Sequence, residues 1–125
     1  IWYGVHCFEM LEKAMGLGAV SVDARKDPAG AVAVVEYPDK RRGIIELTVG
    51  AYTYGGTLRA EKQIASFIVD SSMFYTEELR EICRFFRTGE VSFTLDDALE
   101  IMDMLDCAVR SYELGKPVRL NRYGE

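Results

Sequence analysis

One histidine, His6, is all the imidazole that this 125-residue chain carries. Proton transfer by a side chain of unperturbed near-neutral pKa therefore has a single candidate. Cysteine is scarce as well. Cys7, Cys83 and Cys107 are odd in number, widely spaced and form no C-x-x-C pair. The three read as free buried thiols in a reducing cytoplasm, the expected location. No apolar run approaches the roughly 20 residues of a membrane span, and no signal peptide is visible, so no membrane partner is expected. Basic charge is in deficit, with 15 Lys and Arg against 20 Asp and Glu and a net charge of -5, which argues against a nucleic-acid partner. No Gly-rich turn between strand and helix, no nucleophile elbow and no Ser/His/Asp pattern occurs. Gly55-Gly56 reads as a plain turn. This chain alone is expected to hold no dinucleotide cofactor.

What remains is enough for one folded domain over residues 1–125, since 49% of the residues are apolar. The start, Ile1-Trp2-Tyr3-Gly4-Val5-His6, is apolar and lacks an initial Met, and reads as the interior of a longer chain. Residues 5–15 have helical spacing, with Val5, Phe8, Met10, Leu11 and Ala14 as the apolar stripe and Gly16 and Gly18 as the stop. Residues 20–25 alternate: Val20, Val22 and Ala24 face one way, Ser21, Asp23 and Arg25 the other. Further strands are expected at 31–37, 44–49, 57–61 and 64–69, separated by turns at 27–30, 38–43 and 54–56. Short connections make neighbouring strands antiparallel. A helix is expected over 76–88, capped by Thr76 and ended by Gly89, with Leu79, Ile82, Cys83 and Phe86 on one face. Thr94-Leu95-Asp96-Asp97 is a capping-box pattern, and the helix it starts ends at Gly115-Lys116-Pro117. Residues 118–120 form a short closing strand.

The element order predicts an α+β fold: a mostly antiparallel sheet with helices packed on one face and the other face open. Val34-Val35 and Ile44-Ile45 put apolar side chains on both faces, so the open face is expected to pair with a second copy in a homodimer.

The candidate chemistry begins at His6. A lone histidine at a helix start is more often structural than catalytic, yet Glu9 lies one helical turn beyond it. Trp2 and Tyr3 could wall a sugar-binding pocket, with core packing as the plainer reading of both. Asp96, Asp97, Glu100, Asp103 and Asp106 read as a solvated helix face, not a metal site; Asp96 and Asp97 also suit the positive end of that helix. No metal is expected. Lys40-Arg41-Arg42 reads as a solvated loop.

Two segments resemble the C-terminal domain of the glucose–fructose oxidoreductase and inositol dehydrogenase (Gfo/Idh/MocA) family. Gly4-Val5-His6 followed by Glu9 is similar to the Asp-x-Gly-x-His-x-x-Asp motif that opens this domain's first helix. Val91 to Leu120, with Asp97-Ala98-Leu99 and Arg110-Ser111-Tyr112-Glu113-Leu114-Gly115-Lys116-Pro117-Val118, is similar to its closing helix and strand. The resemblance implies the substrate-binding and oligomerisation domain of an oxidoreductase that uses NAD or NADP on a sugar or polyol. His6 would be the catalytic residue, with Trp2, Tyr3 and Glu9 binding substrate. The cofactor would sit mainly in a separate upstream domain, with the catalytic lysine. Trp2 replaces the motif's first Asp, which fits a subset with a Trp-Tyr-Gly-x-His start. It also supports a rival reading, a stand-alone, non-catalytic dimeric scaffold domain of the same fold.

Overall fold

The structure is a computed structural model and describes residues 4–121. Its elements run α1 (Val5–Met15), β1 (Ser21–Asp27), β2 (Gly30–Glu36), β3 (Arg42–Thr48), β4 (Gly55–Arg59), β5 (Ile64–Ile68), α2 (Phe74–Thr88), α3 (Leu95–Leu114) and β6 (Val118–Arg119). This is an α+β fold. The contacts divide the chain into two compact units, Ile1–Ala51 with Leu95–Glu125, and Tyr52–Thr94.

The first unit is a four-stranded antiparallel sheet in the order β3-β2-β1-β6, with α1 and α3 packed against it. Strand alternation sets the core. Val22, Ala24, Ala33, Val35 and Ile45 point inward and meet Phe8 of α1 and Ile101, Met104, Cys107 and Ala108 of α3. The opposite face carries Val32 at 44% exposure and Ile44 at 65%. The expectation of apolar side chains on both faces therefore holds. Val34 is paired with Ile44 and Asp23, while Val32 is paired with Glu46 and Arg25, so an apolar centre is framed by charges of both signs.

Specific backbone features fix this arrangement. The Asp27 carboxylate accepts the amides of Ala29 at 2.7 Å and Gly30 at 3.1 Å, closing the β1–β2 hairpin. Gly30 has a φ of 152°, and a Cβ there would strike the carbonyl oxygen of Leu47, so only glycine fits. α1 ends where the Gly16 amide donates to the Glu12 carbonyl at 2.6 Å, with a φ of 74°. Ser111 of α3, fully buried, accepts the Ala24 amide at 2.8 Å and donates to the Lys116 carbonyl at 2.9 Å. One hydroxyl thus ties α3 to β1 and to the turn into β6.

The second unit holds the β4–β5 hairpin and α2. Its residues are exposed except Tyr54, Val69 and Arg84, which are partly buried. α2 buries none of its residues: Leu79 is 61% exposed and Phe86 81%. A two-stranded hairpin without a core of its own is marginal in water.

Several local expectations change. α2 begins at Phe74, with Met73 at its N-cap and no side-chain cap, so Thr76 lies inside the helix. Gly55 and Gly56 open β4 instead of forming a turn; a Cβ on Gly55 would come within 2.7 Å of the Phe67 carbonyl oxygen. The loop 38–43 is not merely solvated. Arg41 pairs with Asp39 at 2.6 Å, donates to the Met15 carbonyl at 2.7 Å and lies 5.0 Å from the Tyr37 ring centre. Cys83 is exposed, Cys7 partly buried and Cys107 buried, so only one of the three thiols is a core group. No helix among the described residues is long and apolar enough to cross a membrane.

Candidate functional site

The first turn of α1 presents the residues singled out in the sequence. Gly4 precedes the helix and is buried; a Cβ on it would meet the Leu47 side chain at 2.7 Å. The absence of a side chain lets the helix start lie close on β3. Phe8, 1% exposed, and the partly buried Leu11 hold the inner face of α1 on the core. Leu11 in turn packs where Gly43 of β3 has no Cβ. His6 and Glu9 fall on the outer face, with side chains 51% and 46% exposed.

His6 Nδ1 lies 2.8 Å from Glu9 Oε2. The i, i+3 spacing makes this contact a consequence of helical geometry. A carboxylate on one ring nitrogen fixes the ring's orientation and favours the tautomer protonated on Nδ1. The other nitrogen, Nε2, then has the chemistry to accept or return a proton. Trp2 and Tyr3 lie outside the described residues.

The structure also assembles a group that the sequence reading placed in solvent. Of the acidic residues on α3, Asp96 and Asp106 are exposed, but Asp97 and Glu100 are partly buried and Asp103 is 5% exposed. The reason lies in distant partners. Glu100 accepts the Gly18 amide at 2.8 and 3.0 Å through its two oxygens and the Ala19 amide at 2.9 Å. Those donors are left over after α1 ends and need an acceptor. Asp103 accepts the Asn121 amide and lies 3.8 Å from Cys107 Sγ. Burial pushes the Asp103 carboxyl up, and the Asn121 amide opposes this. Burial, then the Asp103 charge, pushes the Cys107 thiol up to about 11, which leaves it protonated and unreactive at neutral pH. Glu100 and Asp103 share the wall of a pocket with Leu17, Ala19, Leu99 and Leu120. His6 does not line it.

Across from Glu100, Glu12 of α1 is 7% exposed and meets the Asp97 side chain. Tyr37, 4% exposed, has a hydroxyl without a hydrogen-bond partner among the described residues. Burial first, then the Glu100 charge, pushes that hydroxyl up to about 12. A signal for this cluster existed in the sequence: residues 97, 100 and 103 form an i, i+3 row beside the buried Ile101 and Met104.

No protein-family model matches this chain, and no curated protein does either. Solved structures do match it. The chain is 17% identical to GenD2 from gentamicin A biosynthesis, solved in complex with NAD, with a TM-score of 0.81 over 96% of this chain and 47% of that one. It is 14% identical to a putative myo-inositol dehydrogenase from Sinorhizobium meliloti, with a TM-score of 0.68 over 94% of this chain and 48% of that one. It is 13% identical to myo-inositol 2-dehydrogenase from Lactobacillus plantarum, with a TM-score of 0.61 over 94% and 47%. The chain spans about half the length of each of these proteins and shares the fold of that half.

Proposed function

We propose that this chain is the C-terminal, substrate-binding and dimerisation domain of an NAD(P)-dependent oxidoreductase that acts on a sugar or polyol. The observation that carries the reading is the fold shared with NAD-bound GenD2 and two inositol dehydrogenases, together with the His6–Glu9 pair on the first turn of α1. In this reading His6 Nε2 exchanges a proton with a substrate hydroxyl while hydride passes between the substrate carbon and the nicotinamide. Glu9 keeps the imidazole in the required tautomer, and Trp2 and Tyr3 wall the sugar.

Gly55 and Gly56 lead into a strand, not a helix, so they offer no ring of amides at a helix N-terminus to hold a pyrophosphate. The reading therefore assigns the nicotinamide's main contacts to a separate domain of the same protein. Calorimetric titration of this chain alone with NADH and NADPH is expected to show no useful affinity. A micromolar dissociation constant for either would count against that division of labour. Reading the gene upstream of the codon for Ile1 tests the whole proposal. A Gly-x-Gly-x-x-Gly turn between a strand and a helix supports it, and a nearby start codon supports the scaffold alternative.

The open sheet face supplies the dimer surface of the same reading. A two-fold axis would lay Val32, Val34 and Ile44 on their counterparts and bring Arg25 and Glu46 toward opposite charges at the rim. Ile44→Glu is expected to weaken self-association about 100-fold or more, because it buries like charges across the axis. Sedimentation velocity of wild type and variant checks this, and a wild type that stays monomeric at high concentration would remove the assignment.

A further inference from the structure

We propose that two residues of β3, Leu47 and Gly43, position His6: they lock α1 at one place along the sheet and so set where the His6–Glu9 turn stands. Neither has chemistry of its own, and both act only through α1. The inference deepens the reading of His6 above. It rests on that reading for its consequence in turnover, but not for its geometry.

The lock is built from side-chain sizes that run in opposite directions. On α1, Gly4, Phe8 and Leu11 follow at i, i+4 and i+7, so they share one face. Gly4 already has helical angles, with φ −67° and ψ −21°. On β3, Gly43, Ile45 and Leu47 alternate onto the inward face, the first two buried and the third partly so. α1 packs on β3 with its small end on the strand's large residue and its large end on the strand's small one. A Cβ on Gly4 would stand 2.7 Å from Leu47 Cδ1, 3.5 Å from Cδ2 and 3.7 Å from Cγ. A Cβ on Gly43 would strike Leu11 Cδ1 and come within 2.7 Å of Cδ2 and 3.0 Å of Cγ. Phe8 and Ile45, between these two seats in sequence, both belong to the core.

Seven helical residues span about 10 Å and four strand residues about 13 Å. The seats therefore stand at opposite ends of the contact between α1 and β3. Two separated seats of opposite sense resist both sliding and tilting. A slide toward Leu47 carries the Leu11 side chain from the gap over Gly43 onto Ile45. A slide the other way draws Leu11 out of that gap and opens a void. Lifting the helix start breaks the Gly4–Leu47 contact. His6 and Glu9 fall between the seats in sequence and on the outer face, joined by their 2.8 Å contact. A close-packed interior transmits strain, so a displacement at either seat reaches this turn.

The consequence for chemistry is one of reach. A proton carrier must stand within hydrogen-bond distance of the atom it serves. Misplacing a reacting group by about 1 Å can lower turnover about 100-fold. On the reading of His6 as that carrier, Leu47 and Gly43 set the reach without touching substrate.

The test needs no ligand. His6 is the chain's only histidine, so its imidazole signals in NMR spectra of the labelled protein are unambiguous. Gly4→Ala is expected to move them. Leu47→Val in the same chain should return them at least two thirds of the way, because the atom left nearest the added methyl stands at the Cγ position, 3.7 Å off. Gly43→Ala should move them too, with Leu11→Ala as its rescue. Val35→Ala is the control. Val35 is 0% exposed on β2, so V35A should lower the urea midpoint while leaving the His6 signals in place. G4A signals equal to wild type, no return in G4A/L47V, or a V35A shift as large as that of G4A overturns the proposal. If G4A does not fold, L47V alone should move the signals more than V35A does, and an equal or smaller movement overturns it as well. The proton-transfer reading is tested separately, by turnover of His6→Ala. Its failure would leave these NMR results standing, and their failure would leave it untouched.

Discussion

On the proposed reading, replacing His6 with alanine in the full-length protein is expected to lower turnover about 100-fold or more, the usual scale for a lost general acid–base group. Cofactor binding should be unchanged, because the proposed reading puts the dinucleotide in a separate domain. Melting temperature should move little. The His6 side chain is half exposed on the outer face of α1, and its contact with Glu9 is a surface pair of the kind worth a few tenths of a kcal/mol. A companion variant sharpens the result. Glu9→Gln keeps the size but removes the charge that orients the imidazole, so it should lower turnover less than H6A while shifting its pH profile. A structural histidine behaves in the opposite way: stability drops and surviving molecules keep their rate. Turnover and melting measured on the same H6A preparation separate the two, and near-normal turnover with a drop of several degrees would end the catalytic assignment.

Phe8→Ala should show the complementary pattern, a large loss of stability. Phe8 is two residues from His6 but lies on the buried face of α1 at 1% exposure, among the core side chains of β1, β2, β3 and α3. Truncating a buried phenylalanine costs about 3–5 kcal/mol, from lost transfer energy and the cavity left behind. Against a total stability of roughly 5–15 kcal/mol for a domain, that is enough to populate the unfolded state at modest denaturant. A urea titration should show a much lower midpoint with little change in slope. A loss below about 1 kcal/mol would mean that α1 is not anchored through this face. H6A and F8A together ask whether one helix serves chemistry outward and packing inward.

Much of this fold is local physics and was legible residue by residue. The spacing of Val5, Phe8 and Leu11 predicts α1, whose bounds are those of the structure, because a helix needs one apolar stripe and a residue able to leave the helix at its end. Alternation in Val22, Asp23 and Ala24 correctly predicts that Val22 and Ala24 enter the core, since a strand turns each residue to the opposite face, whereas Ser21, expected to face outward, is buried as well. The i, i+3 spacing of His6 and Glu9 anticipates their 2.8 Å contact for the same local reason. Periodicity cannot report what lies across the gap. Glu100 and Asp103 look like a solvated stripe until the fold brings partners to them. The amides of Gly18 and Ala19 are 82 and 81 residues away from Glu100 in the chain. The same holds for Glu12 and Asp97, which only the packing of α1 against α3 brings together. The sequence alone thus determined the type and order of the helices and strands, though not where α2 and β4 begin, and the inward placement of Val22 and Ala24. The tertiary structure decided which acids are buried, because burial depends on donors and charges that long-range contacts supply and that no local pattern records.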